Sequence, residues 1–359
     1  MNILIAGGYG VVGTQIAAIL RRRNPDLRIV IGGRSLEKAR ALARTLADAE
    51  GAVFDIDDPA SLGRLAVRPD LVIVAANDMH NVTLKAAIAA GVPLVDITRW
   101  TERVRQLEAI AASAESTPTL VQGSSWMACV PGAVTRAAAA GFSAIESIDF
   151  GILYALKDSA GDNSVEYMDR LTSPFPVVRD GKPAIAIPYT EPRLTRFANG
   201  YQTTVYRFDS PDQHILPRLT GAASVAARIA FDDKATMAVF WLIIRSGLWN
   251  LLSGERFTKL RRGLLHNPGP GAPHLVRVDI VGQRAGKPGH LTLNVTDPHS
   301  QSHMTAVGAV LQAEWALGLN GFAAPGPGLH YGENMGPAPV LREALASVGI
   351  RVEEHDTGA

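Results

Sequence analysis

Hydrophobic and polar positions change period repeatedly over the first third of the chain. Asn2–Ala6 is a short apolar run closed by Gly7-Gly8, and Val12, Ile16, Ile19 and Leu20 then recur at helical spacing. Leu27–Ile31 is a second run. "SLEKARALARTLADA" places Leu36, Ala39, Leu42, Ala43 and Leu46 on one helical face, with Ser35 as N-cap. Ala52–Ile56 predicts a third strand, and "DPASLGRLA" a helix with Asp58 as cap and Pro59 at its first position. Asp70–Ala76 is apolar throughout, the mark of a parallel strand covered on both faces. "NVTLKAAIAAG" predicts a helix ended by Gly91, and "VPLVDIT" a strand. Glu102–Ala114 predicts a helix and "PTLVQGS" a strand. Strands alternating with helices in this way give an α/β fold, a Rossmann-type doubly wound parallel sheet.

The pattern changes from Ile145. "SIDFGILYAL", "PAIAIPYT" and "YQTTVYRFD" have the β-branched and aromatic content of strands. In "HLVRVDIVGQRAGKPGHLTLNV", Val276, Val278 and Ile280 alternate with polar residues, as do Leu291, Leu293 and Val295. This is a hairpin, with Gly286 to Gly289 expected to form its turn. A second, α+β domain with an antiparallel sheet is predicted. Thr236–Leu252 is the most apolar stretch of the chain. It is shorter than the roughly 20 residues of a membrane span and contains Arg245, so it predicts a buried or dimer-forming helix in preference to one lying on a membrane surface, or the lining of a pocket for an apolar substrate. "HNPGPGAP" (His266–Pro273) predicts a loop. No internal repeat is present.

The length of 359 residues suits two domains, and 47% hydrophobic against 19% charged residues suits substantial cores. A net charge of +1 gives no reason to expect nucleic acid as a partner. The single cysteine, Cys129, excludes an internal disulfide and reads as a small buried residue. The chain enters its first strand without a basic, then apolar leader, which predicts a cytoplasmic protein without a signal peptide.

Gly8-x-Gly10-x-x-Gly13 lies between the first strand and its helix. There the first glycine permits a tight turn, the second lets backbone approach a pyrophosphate, and the third lets helix pack on strand. In such folds a carboxylate closing the second strand takes the ribose hydroxyls of NAD. This chain has "GGRS" instead. Arg34 offers a planar donor fork, Ser35 a hydroxyl and a helix N-terminal N–H, and Lys38 a second charge. That set suits the 2′-phosphate of NADP. Substrate is expected beyond the carboxyl ends of the strands. His80 there is either a proton donor or a solvent-facing residue at a helix start. Asp96 either orients a cationic imine or caps the following loop. The two histidines of "DPHSQSH" do not make a metal site, and none is expected elsewhere.

The quoted segments "GGYGVVG", "GGRSLEKA", "FDIDDPASL", "DLVIVAAND…AAIAAGVPLVDIT" and "GSSWMACVPG" resemble the saccharopine dehydrogenase family, whose N-terminal domain binds NADP. The resemblance is good to about Ala140 and thinner through the middle. It returns in "TAVGAVLQAEWALGL" and in "GLHYGENMGPAPVLREALASVGIRVEE", where a glutamate precedes a helix that packs back on the first domain. It implies a cofactor domain over 1–140 joined by the segment 321–359, and a substrate and dimerisation domain over 141–320. It implies that Gly8, Tyr9, Gly10, Val11, Val12 and Gly13 hold the pyrophosphate and that Arg34, Ser35 and Lys38 take the 2′-phosphate. Asp55 and Ile56 would lie by the adenine, and Ala75, Ala76 and Asn77 by the nicotinamide ribose. The chain departs from the family at "NDMHN" and at Ser124, Ser125 and Trp126, where substrate should sit, so the substrate need not be saccharopine. The expected activity is NADPH-dependent hydride transfer to the C=N bond of a small molecule, by a homodimer. The alternatives are reduction of C=C or C=O in a lipid-like or polyketide-derived substrate, and a non-enzymatic NADP-binding regulator.

Overall fold

A computed structural model of the chain describes residues 1–124, 126–158, 167–252, 255–263 and 271–356. It forms two compact units, Met1–Val130 with Ser302–Leu341 and Pro131–Gln301 with Arg342–Ala359. The chain begins with β1 (Asn2–Ala6), α1 (Val11–Arg23), β2 (Arg28–Gly33), α2 (Leu36–Ala43), β3 (Ala49–Val53), β4 (Leu71–Val74), α3 (Val82–Ala90), β5 (Leu94–Asp96), α4 (Thr101–Ser113) and β6 (Thr119–Gln122). There follow α5 (Val130–Ala139), β7 (Ala144–Tyr154), β8 (Phe175–Arg179), β9 (Lys182–Ala186), β10 (Arg193–Arg196), β11 (Gln202–Arg207), α6 (Asp212–Thr220) and β12 (Ser224–Phe231). Next are α7 (Lys234–Arg245), α8 (Leu248–Leu251), α9 (Thr258–Gly263), β13 (His274–Arg284) and β14 (Lys287–Asp297). The chain closes with α10 (Gln301–Leu317), β15 (Gly328–Tyr331), α11 (Ala338–Ser347) and β16 (Arg351–Asp356).

The first unit is built on a parallel sheet in the order β15-β6-β5-β4-β1-β2-β3. The central strands are apolar on both faces because helices cover both, and Leu4, Val30, Val72, Leu94 and Leu120 share one buried cluster. Strand order reverses between β1 and β4, which opens a crevice at their carboxyl ends. Two expectations fail here. β3 begins three residues earlier than predicted, at Ala49, because α2 stops at Ala43. No helix forms over "DPASLGRLA", which is a series of turns. The Asp55 carboxylate accepts the Asp57 N–H at 3.2 Å, and that of Asp58 accepts the Ala60 N–H at 3.0 Å and pairs with Arg64. These local bonds compete with helical ones.

The second sheet has the order β10-β11-β12-β7-β13-β14-β16 and is mixed, since β12 runs parallel to β7. One face is apolar and buried, with Ile148, Phe150, Val278, Ile280, Leu291 and Leu293. The other carries charge: Arg193 bridges Asp149 at 3.0 Å and Asp279 at 2.8 Å. The predicted hairpin is β13–β14, but its turn is Ala285-Gly286, at φ of 50° and 77°, as a two-residue type I′ turn requires. Gly289 lies within β14, opposite Gly282. The last strand, β16, pairs with β14, whereas α10 and β15 group with the first unit.

The apolar stretch Thr236–Leu252 forms two helices, because Gly247 takes a left-handed φ of 81° between them. Only one face is buried. Met237, Ile244 and Trp249 point inward, and the Phe240 ring stands 5.5 Å from Phe231 and 5.9 Å from Trp249. The other face is exposed, so this is not a core helix. Among the described residues no helix is long and apolar enough to cross a membrane. Most of "HNPGPGAP" lies outside the described residues.

α10 is fixed to α1 through one carboxylate. Glu314 is wholly buried, accepts two bonds from Arg23 at 2.8 Å, and accepts Asn24 Nδ2 at 2.8 Å. Removing Glu314 leaves half-buried Arg23 without a counter-charge but within reach of water, at a cost of about 3 kcal/mol, the low end for a buried pair. Glu314→Ala should therefore lower the denaturant midpoint by that equivalent, read by urea unfolding, and Glu314→Gln by less because its amide oxygen still accepts from Asn24. A midpoint unchanged in Glu314→Ala would show that α10 is held elsewhere.

Candidate active site

The turn after β1 is made by backbone approach. Gly7 is left-handed at φ 83°, and Gly10 N–H donates to Gly7 O at 3.0 Å. A Cβ added at Gly13 would stand 2.3 Å from Gly7 O, so α1 packs on the strand only because that atom is missing. A Cβ at Gly10 would meet nothing closer than Gly7 O at 3.2 Å. Gly10 is thus open toward solvent at the N-terminus of α1, whose first turn has no carboxylate. Gly8 is buried, Tyr9 completes the loop, and Val11 and Val12 open α1. Open backbone, a helix N-terminus and no negative charge fit a pyrophosphate.

Tyr9 also shapes the end of β2. Its ring lies over Gly33, where a Cβ would come 2.3 Å from Tyr9 Cε1, and its hydroxyl accepts the Ser35 N–H at 3.1 Å. The Ser35 hydroxyl accepts the Lys38 N–H at 3.3 Å and caps α2. Ser35 is therefore engaged by its own loop. Arg34 and Lys38 are exposed, and no ion pair holds either among the described residues. Asp55 and Ile56 follow β3, half-buried, and Ser61 Oγ accepts the Asp55 N–H at 3.1 Å. Ala75, Ala76 and Asn77 follow β4. Ala76 Cβ faces Gly7, and a Cβ there would come within 2.9 Å of it, so the β1 and β4 ends adjoin.

Beyond Asn77 the structure assembles a buried ion cluster that the sequence reading missed. Arg99 is wholly buried. Its Nε donates to Asp96 at 2.6 Å, one terminal nitrogen donates to Asn81, and another stands 3.6 Å from Asp78. Asp96 also accepts the Thr98 N–H and hydroxyl at 2.9 and 2.7 Å. Asp78 caps α3 by accepting Val82 N–H at 2.7 Å and Leu84 N–H at 3.0 Å. Burial raises the pKa of the Asp78 carboxyl, against the lowering effect of these bonds and of Arg99. Arg103 donates to Asp78 O and lies 5.1 Å above the Trp100 ring. His80 is exposed in this loop, while Asp96 is fully committed to Arg99 and Thr98. The structure does not bring His80 and Asp96 together in any recorded bond.

The loop after β6 is held just as firmly. Ser124 and Trp126 are buried, and Trp126 N–H donates to Ser124 Oγ at 3.4 Å; Ser125 lies outside the described residues. Met127, Ala128 and Cys129 all have left-handed φ, of 58°, 41° and 62°. Gln312 of α10 donates to Ala128 O at 3.0 Å, and Glu333, 1% exposed beyond β15, accepts the Ser124 N–H at 3.2 Å. Cys129 is buried against Gly332, where a Cβ would come 2.6 Å from its sulfur. One signal for this clamp was visible. Gln312 and Glu314 are polar residues inside an otherwise apolar helix, and buried polar groups require partners. Among the described residues no group of three His, Cys, Asp or Glu side chains could hold a metal ion.

Residues 3–118 match the family model of the saccharopine dehydrogenase NADP binding domain. No curated protein matches the chain in sequence. Among solved structures, the chain is similar to apo saccharopine dehydrogenase (L-Glu forming) from Saccharomyces cerevisiae. The TM-score is 0.69 at 15% identity, over 99% of this chain and 100% of that one. A myo-inositol dehydrogenase from Corynebacterium glutamicum ATCC 13032 covers 100% of this chain and 99% of its own at 13% identity, with a TM-score of 0.45. Residues 3–118 thus form an NADP-binding domain of the saccharopine dehydrogenase type. The likeness to the yeast enzyme is one of fold.

Two substitutions separate cradle from scaffold. Gly10→Val should abolish NADPH binding in calorimetric titration at an unchanged melting temperature, whereas Gly13→Val should lose the fold. Wild-type affinity in Gly10→Val would remove the cradle from the site. A charge-assisted bond contributes about 1.5–3 kcal/mol, so Arg34→Ala should weaken NADPH by about ten- to a hundredfold and leave NADH unchanged. Lys38→Ala should act in the same direction but less, since an exposed ammonium is well screened. Equal weakening of both cofactors by Arg34→Ala would show that the arginine does not read the phosphate.

Proposed function

We propose, from an N-terminal domain of the saccharopine dehydrogenase NADP-binding type, that this protein reduces a C=N bond to a secondary amine. When bound, NADPH supplies the hydride. Gly8 to Gly13 orient it along the sheet edge, and Arg34 and Lys38 select it over NADH.

The observation that carries this reading is Glu333. A buried carboxylate beside Ser124, at the carboxyl ends of β6 and β15, disfavours reduction of a carbonyl, because negative charge grows on the oxygen as hydride arrives. It favours a protonated imine, whose positive charge it stabilises and whose carbon is already electrophilic. Addition of hydride to that carbon moves the C=N π pair onto nitrogen and yields the neutral amine without a further acid. This agrees with strand ends at which Asp96 is committed to Arg99 and Asp78 to α3. Ser124 and Trp126, both buried, would line the substrate side and exclude water. A second reading, reduction of C=C or C=O in a lipid-like substrate, is favoured by the exposed apolar face of α7 and α8.

A substrate panel followed by NADPH absorbance tests this. Oxidation should require an amine and a carbonyl compound together, since only the pair forms an imine. Turnover with a carbonyl compound alone, or with an enoyl thioester, would establish the second reading instead. Glu333→Gln should reduce kcat/KM by about ten- to a hundredfold, the equivalent of a lost charge-assisted contact, with NADPH affinity unchanged. The loss should shrink as pH falls toward the imine's own pKa, where protonation no longer needs the carboxylate.

A further inference from the structure

The chain leaves one large apolar surface uncovered. Six of the fourteen exposed large apolar side chains among the described residues lie between Val239 and Leu260. Leu242 is 60% exposed and Leu251 71%, with Val239, Trp241 and Leu248 beside them on α7 and α8. The inward face of the same helices is already filled by Met237, Ile244 and Trp249, so the second unit has no further use for the outer one.

Cations outnumber carboxylates along this stretch. From Asp232 to Gly263 the sequence has six cations, Lys234, Arg245, Arg256, Lys259, Arg261 and Arg262, against three carboxylates, Asp232, Asp233 and Glu255, and Asp233 caps α7. Lys234, Ala238 and Arg245 share one stripe of α7, at the edge of the apolar sector formed by Ala235, Val239 and Leu242. Two copies packed face to face would bring together twice as many cations as carboxylates. A negatively charged surface with apolar depth would match both the leucines and the cations. α7 has 12 residues, about 18 Å of helix at about 1.5 Å per residue, too short to cross a bilayer but suited to lie in its plane. Trp241 has the amphipathic ring that favours the headgroup boundary, and Lys and Arg stems let their charges rise from an apolar bed.

We propose that α7 and α8 are an in-plane docking surface for an anionic lipid bilayer. This holds whichever bond the enzyme reduces.

The test is co-sedimentation of the full-length protein with vesicles of phosphatidylcholine, alone or mixed with phosphatidylserine. The protein should pellet with the mixed vesicles, stay largely in solution with the neutral ones, and bind less as salt rises. The double substitution Leu242→Glu with Leu251→Glu should abolish binding. Arg245→Glu should weaken it roughly tenfold, the effect of reversing one charge near the surface. Melting temperature and NADPH affinity should be unchanged in both, since these side chains face solvent. No pelleting with anionic vesicles, equal pelleting with neutral ones, or undiminished binding by the double variant would each overturn the proposal. So would a wild-type dimer in light scattering that the double substitution splits, because the surface would then belong to a second copy. Should the double variant fail to fold, the wild type decides alone. Vesicles with brominated acyl chains should quench its tryptophan emission through exposed Trp241, and the absence of quenching would overturn the proposal.

Discussion

Met127, Ala128 and Cys129 hold a left-handed backbone that residues with a Cβ resist, at about 1–2 kcal/mol each. Such a conformation persists only where its surroundings over-determine it. Here Gln312 donates to Ala128 O from one side, and Gly308 lets α10 approach so closely that a Cβ there would stand 2.5 Å from the same oxygen. Gly123 and Gly332 leave room for the Gln312 side chain, within 2.7 Å of the space their own Cβ atoms would fill. The places of Ser124, Trp126 and Glu333 follow from this one constrained turn. The loop after β6 is thus set by α10 and the segment beyond β15.

The charges of the first unit divide by environment. Arg99, Asp96 and Asp78 are buried and paired, and buried Glu314 pairs with half-buried Arg23. Taking such groups out of water is costly, and only mutual pairing offsets it. They shape the site but have no charge to spare for a ligand. Arg34 and Lys38 are in water with no partner to satisfy them among the described residues, which is the state expected of groups that await an anion. The NADP preference read from the sequence rests on this second class, and the geometry of the loop on the first.

The elements legible in the sequence are those whose causes are local. The Gly8–Gly13 loop, α1, α3 ended by Gly91 and the β13–β14 hairpin each carry periodicity and turn chemistry within a few residues. The failures have equally specific causes. Asp55 and Asp58 turn the chain with their own carboxylates where a helix was expected. Ala285-Gly286 makes a shorter turn than the glycines suggested. Gly247 breaks an apolar run in two and leaves half of it in water. Glu333 was not legible as part of a site, because it meets Ser124 only through the parallel pairing of strands distant in sequence. β15 joins β6 across about two hundred residues, and no local pattern records that.

That pairing also sets an order of events in synthesis. The ribosome delivers β1 to β6 first, but the strand that covers the outer edge of β6 is among the last to emerge. Until Gly328–Tyr331 arrives, β6 presents unpaired N–H and C=O groups to other nascent chains. All of the second unit before Arg342 must be made during that interval. A nascent cofactor domain therefore waits, with one edge open, until β7 to β14 have been made.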